Sequence, residues 1–237
     1  MIRALALALL VWTPQPVTAQ ACRQALAIGL DVSGSVDARE YRLQIAGLAQ
    51  ALDSAAVRGA LLARPDLPVA LLVYEWSGPM DQRTLLPWSL ITNASALGTL
   101  IATLAAVERR DDATPGTALG MAMTLGVQHL ETGPDCWKKT LDISGDGKSN
   151  LGPRPRTVKP ALAAKGITIN ALVIGADDVP TGDARQSDIG ELAAYFLAEV
   201  ITGPDAFVET ALGFDAYAEA MEIKLLRELD GLVLSNR

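Results

Sequence analysis

A doubly wound α/β sheet is the architecture these 237 residues should adopt. Short apolar runs alternate along the chain with stretches that repeat apolar residues every three to four positions, which is the order of strands and covering helices in a largely parallel sheet. The runs are mostly apolar and do not alternate, as expected of strands buried on both faces. Half of the residues are hydrophobic and one in five is charged. That is ample for a core and too apolar for a disordered chain.

Residues 25–30 form the first run. Residues 37–52 follow as a helix, with Tyr41, Ile45, Leu48 and Leu52 along one face. Residues 68–74 read as a second buried strand, and residues 83–88, bounded by Pro87, as a short edge strand. Residues 94–107 repeat Leu97, Ile101 and Leu104 at helical spacing, and residues 118–130 keep the same rhythm. Residues 140–144 and 167–175 are two further buried strands, separated by a helix over residues 155–165. A helix over residues 187–200, a short strand over 206–209 and an amphipathic helix over 215–229 close the pattern, giving six strands.

Residues 1–21 stand apart. Arg3 precedes an apolar run over residues 4–12, well short of the roughly 20 residues that cross a bilayer, and Ala19 and Ala21 supply the small residues of a cleavage site. A secretory signal peptide is therefore expected at residues 1–21, followed by a single domain over 22–237 that is exported to the periplasm or beyond. Cleavage after Ala21 leaves Cys22 first; lipid attachment there is disfavoured, because Ala19 stands where lipoprotein leaders place a larger aliphatic residue. No later stretch is long and apolar enough to span a membrane. The formal charge of −7 argues against nucleic-acid and anionic-membrane partners, which select clustered lysine and arginine.

In doubly wound sheets ligands gather at the carboxyl ends of the strands. After the first strand comes Asp31-Val32-Ser33-Gly34-Ser35, and after the strand over 140–144 comes Gly145-Asp146-Gly147. A third segment, Thr114-Pro115-Gly116-Thr117-Ala118, opens a helix and offers another hydroxyl. Carboxylate and hydroxyl oxygens without sulfur or imidazole suit a hard divalent cation: Mg²⁺ first, with Mn²⁺ and Ca²⁺ as alternatives.

With DVSGS, the TALGMA context of Thr117 and the Asp-Gly pair at Asp146 in this order, the chain resembles the von Willebrand factor A family, whose metal-ion-dependent adhesion site combines Asp-x-Ser-x-Ser with a distant threonine and a later aspartate. The resemblance covers about residues 24–231, and DVSGSVDAREYRLQ, VYEWS, LPWSLI and DISGDGKSN are similar to an uncharacterised secreted bacterial branch of domain-of-unknown-function 1194 type. It implies a Rossmann-like, doubly wound, mostly parallel six-stranded sheet with helices on both faces. It also implies that Asp31, Ser33, Ser35, Thr117 and Asp146 hold one ion with an open position for a partner protein's Asp or Glu carboxylate. In this family the two cysteine-bearing strands are neighbours, so Cys22 and Cys136 should form a disulfide at the edge opposite the ion, as export permits.

Blander readings compete at each position. Ser33 and Ser35 are good helix caps, Asp146 suits a turn, and Thr114 and Asp142 are rival choices for the threonine and the second aspartate. Glu75, Trp76 and Ser77 end a strand at the same edge and, with Asp112, are expected to line a specificity rim; the alternative for Trp76 is the core. Among enzyme readings a metal-dependent hydrolase on the same ion is the strongest. Gly145 to Ser149 fails as a phosphate loop because the first required glycine falls on Asp142, and no metalloprotease, dinucleotide or nucleophile-elbow motif occurs. The lone His129 falls near a helix end, where a cation is favourable without catalysis.

Overall fold

The computed structural model describes residues 22–110, 112–175 and 183–230; the expected leader and Asp111 lie outside the described residues. The first half of the chain builds β1 (Cys22–Asp31), α1 (Ala38–Asp53), α2 (Ala55–Leu62), β2 (Val69–Trp76), β3 (Gln82–Ile91) and α3 (Ala94–Ala105). The second half builds α4 (Leu119–Thr132), β4 (Cys136–Gly145), α5 (Pro155–Ala163), β5 (Thr168–Ile174), α6 (Asp183–Glu199), β6 (Val208–Ala211) and α7 (Tyr217–Asp230).

The strands form one sheet in the order β3-β2-β1-β4-β5-β6. Neighbours run parallel except β3, which is antiparallel to β2. β1, β2 and β5 are buried at every position, which is why their central residues are mostly apolar without alternation. On one face Leu26, Ile28 and Leu30 join the inner sides of α1, α2, α3 and α7. On the other, Ala25 and Ala27 leave room for Leu119, Met123 and Val127 of α4, with α5 and α6 beside it. The sheet is thus sandwiched between two helical layers, and the order reverses at β1 and β4, which puts the topological switch between them.

Six strands were expected and six are found, with shifted bounds. β1 and β4 start earlier than their apolar runs because Cys22 and Cys136 are register partners and bonded to each other, with Cα atoms 4.7 Å apart. β3 runs through Pro87 to Ile91, which an edge strand tolerates because one side of its backbone needs no ladder partner. β6 begins at Val208, two residues later than expected, and a 3₁₀ turn over Phe214–Ala216 delays α7 to Tyr217. α2 was not expected. Its cue is Ser54, which ends α1 and then accepts the Val57 amide as the cap of α2, bending the chain by 61°.

Candidate metal centre

Asp31 is the last residue of β1, and its Oδ1 accepts the Ser33 amide at 2.8 Å, so the carboxylate itself turns the chain out of the sheet. Gln44 of α1 donates to the Asp31 carbonyl at 2.9 Å and fixes that turn from the helix side. The cap of α1 is Asp37, which accepts the Arg39 and Glu40 amides in a capping box. The rival reading of Ser33 or Ser35 as the cap of this helix therefore fails, and neither hydroxyl is spent on it.

Ser35 Oγ donates to Asp146 Oδ1 at 2.8 Å, and the Ser33 and Ser35 hydroxyls lie 3.2 Å apart. Asp31, Ser33, Ser35 and Asp146 thus meet across the β1–β4 switch. The loop carrying Thr117 is drawn to the same edge by three ties. Gly34 N–H donates to Pro115 O at 3.0 Å, Ala118 N–H to Ser77 O at 2.8 Å, and Thr117 N–H to Asn150 Oδ1 at 2.8 Å. A Cβ on Gly34 would sit 2.8 Å from the Pro115 side chain, so only glycine lets these two loops close. The Thr117 carbonyl accepts from the Asn150 and Leu151 amides, leaving both main-chain polar groups of this residue taken up by the neighbouring loop.

The electrostatics call for a cation. Asp31 is fully buried, and burial first, then the Asp146 charge, push its carboxyl up to about 8. Burial raises Asp146 as well. Asp31 Oδ2 is buried without a hydrogen-bond partner, an arrangement that costs free energy unless a positive charge meets it. The residues present therefore fit a divalent cation held by two carboxylates and hydroxyl oxygens. Among the described residues no group of three or more His, Cys, Asp or Glu side chains could hold a metal.

Other expected residues fall elsewhere. Glu75 and Trp76 are not on a rim: Trp76 is fully buried, and Glu75, 1% exposed, accepts from Tyr41 at 2.8 Å and pairs with Arg83 at 2.8 Å. Both follow from their place inside β2, whose two faces are covered. Asp112 does remain at the surface, 3.8 Å from Arg110. Asp142 lies mid-strand and pairs with Lys224 of α7 at 2.9 Å, so it is no rival to Asp146. Thr114 offers its amide to Asp81. His129 stands in the last turn of α4, as expected, half-buried beside Tyr74 with ring centres 5.6 Å apart, and burial lowers its pKa.

Sequence reasoning missed the buried cluster of Lys224, Asp142 and Glu228, in which Lys224 also reaches Glu228 at 2.7 Å. Its signal was present: a lysine in the apolar stripe of α7 with a glutamate four residues on, and one aspartate inside an apolar strand.

A family described as "Protein of unknown function (DUF1194)" matches residues 21–233. No curated protein matches the chain. Among solved structures, proximal thread matrix protein 1 (PTMP1) from the mussel byssus superposes with a TM-score of 0.59 at 18% identity, over 88% of this chain and 48% of that one. The same protein with a zinc-occupied MIDAS motif gives 0.58 at 15% identity, over 90% and 47%. The pilus adhesin SpaC from Lactobacillus rhamnosus GG gives 0.56 at 15% identity, over 92% and 31%. The chain spans less than half the length of each. At these identities the likeness establishes the fold, which is that of von Willebrand factor A domains.

Proposed function

The chain belongs to the DUF1194 family of proteins of unknown function, and from that premise we propose that it is an exported adhesion or scaffold module in which a divalent ion, Mg²⁺ first, captures a carboxylate of a partner protein. The observation that carries this reading is the meeting of Asp31, Ser33, Ser35 and Asp146 around a buried carboxylate oxygen without a partner. Asp31, Asp146, the two serines and Thr117 would hold the ion. When bound, it supplies a positively charged coordination position at the open loop edge, where an acidic side chain can complete the shell.

The chain's own residues keep that position available. Asp31 Oδ1 is occupied by the Ser33 amide and Asp146 Oδ1 by the Ser35 hydroxyl, so two of the four carboxylate oxygens are partly neutralised by protein donors and the ion stays electron-poor. Neighbours described as a byssal matrix protein and a pilus adhesin support a binding role and not a catalytic one. Export is supported by the Cys22–Cys136 bond; among the described residues no single helix is long and apolar enough to cross a membrane.

The test is capture from the native cell envelope by wild type and Thr117→Ala, with Mg²⁺ and with chelator. Partner recovery should need both the ion and Thr117, and replacing one carboxylate on the recovered partner should abolish it. Recovery unchanged in chelator would overturn the reading. A zinc arm is included because one neighbour carries zinc at such a motif.

A further inference from the structure

The amino edge of the sheet, where β4 and β5 begin, carries a second concavity of about 360 Å³, a size that suits a small-molecule ligand. Its walls come from the start of β4, the start of β5 with the loop before β6, and the last turns of α7. β4 is 10 residues long, so at roughly 3.3 Å per residue this cleft lies about 30 Å from the Asp31 site.

Three features of the lining are unexplained by packing. Trp137 is 71% exposed, a large flat apolar side chain open to water at the mouth. Arg227 lies with its guanidinium 3.8 Å over the Phe207 ring, which holds the planar fork still and leaves its N–H edge for a carboxylate. Glu228, buried at the base, spends Oε1 on Lys224 and on Asn170 Nδ2, each at 2.7 Å, while Oε2 is buried without a partner. That oxygen is an acceptor waiting for a donor.

Charge adds a sign. Lys138, Lys139 and Arg227 line the cleft against Asp205 and Glu228, and Glu228 is already countered by Lys224. Lys224 is shared with Asp142 and Lys139 pairs with Asp135, which leaves the exposed Arg227 as a cation that an anion can meet.

We infer that this cleft binds a sugar ring bearing a carboxylate, a uronic-acid residue of an acidic glycan. The C–H face of the ring covers Trp137, and the carboxylate meets the Arg227 fork. A peptide carboxylate would satisfy the arginine alone; the exposed indole favours the sugar. The site is independent of the metal edge.

Calorimetric titration of the full chain in chelator, which silences the metal edge, tests it with oligogalacturonate, a neutral glucose oligomer of equal length, and oligoglutamate. Oligogalacturonate should bind saturably, and the other two at least about tenfold more weakly. Trp137→Ala and Arg227→Gln, both at exposed positions, should keep the fold by circular dichroism and each lower affinity about tenfold or more. The site is overturned if oligogalacturonate gives no saturable heat at millimolar concentration, if neither variant weakens it, if oligoglutamate binds as well, or if binding needs Mg²⁺ restored.

Discussion

Asp31 holds two opposed roles, since one carboxylate oxygen shapes the loop while the other is buried without a partner. Asp31→Asn keeps the Ser33 contact but removes a buried charge beside Asp146. Its metal-free form should therefore melt higher than metal-free wild type, while the rise in Tm that Mg²⁺ gives wild type should vanish; calorimetry with and without chelator reads both. A wild-type-like Mg²⁺ response in this variant would remove Asp31 from the ligand set. Lys224 is the converse case, a buried cation between two buried carboxylates. Lys224→Met should lower unfolding free energy by about 3–5 kcal/mol, because Asp142 and Glu228 are left uncompensated, and urea titration measures it. The proposed ligand residues were legible because each sits in a short motif, at or just after the end of β1, after β4 or just before α4. Lys224, Asp142 and the Glu75–Arg83 pair were not, because their partners are brought together by the packing of distant segments, which periodicity does not report.

The pairing of β1 with β4 is the element-scale counterpart of the site, closed at its amino end by Cys22–Cys136 and at its carboxyl end by Ser35 and Asp146. The disulfide encloses a sequence separation of 114 residues; loops of that size are stabilised by about 4–5 kcal/mol in the chain-entropy model and by roughly 2–5 in practice. Cys22→Ser with Cys136→Ser should lose about 2–5 kcal/mol in denaturant unfolding and leave the Mg²⁺ response intact, since the bridge lies at the opposite edge. Loss of ion binding in this double variant would show that the two ends of the strand pair are coupled. Strand number and order of elements were readable from apolar runs. The bounds of β1 and β4 were not, because register with a partner extends a strand past its own apolar core, and α2 escaped notice because Ser54 serves two helices at once.

At the scale of the molecule, the proposed capture of an acidic partner by a chain of net charge −7 would proceed against repulsion. Added monovalent salt should therefore speed association modestly at saturating Mg²⁺, the opposite of the usual steered encounter, because screening acts beyond about 10 Å while the ion contact forms at close range. Stopped-flow or surface-based kinetics across ionic strength would read this, and a rate that falls with salt would place an attractive patch at the interface. The doubly wound architecture was visible in the sequence as a whole, whereas the amino-edge cleft was not, since its walls come from three separated segments. One further consequence follows from β1 and β4 lying parallel and bolted at one end. A load applied between the Asp31 edge and a handle attached at the amino end of β1 would shear their hydrogen bonds together instead of peeling them singly, and the sulfur bond would pass that load into β4 before β1 could slide. In single-molecule pulling on such a handle, reduction should turn a high rupture force into a low one, so the oxidation state of this domain would set how much tension the β1–β4 pair can bear.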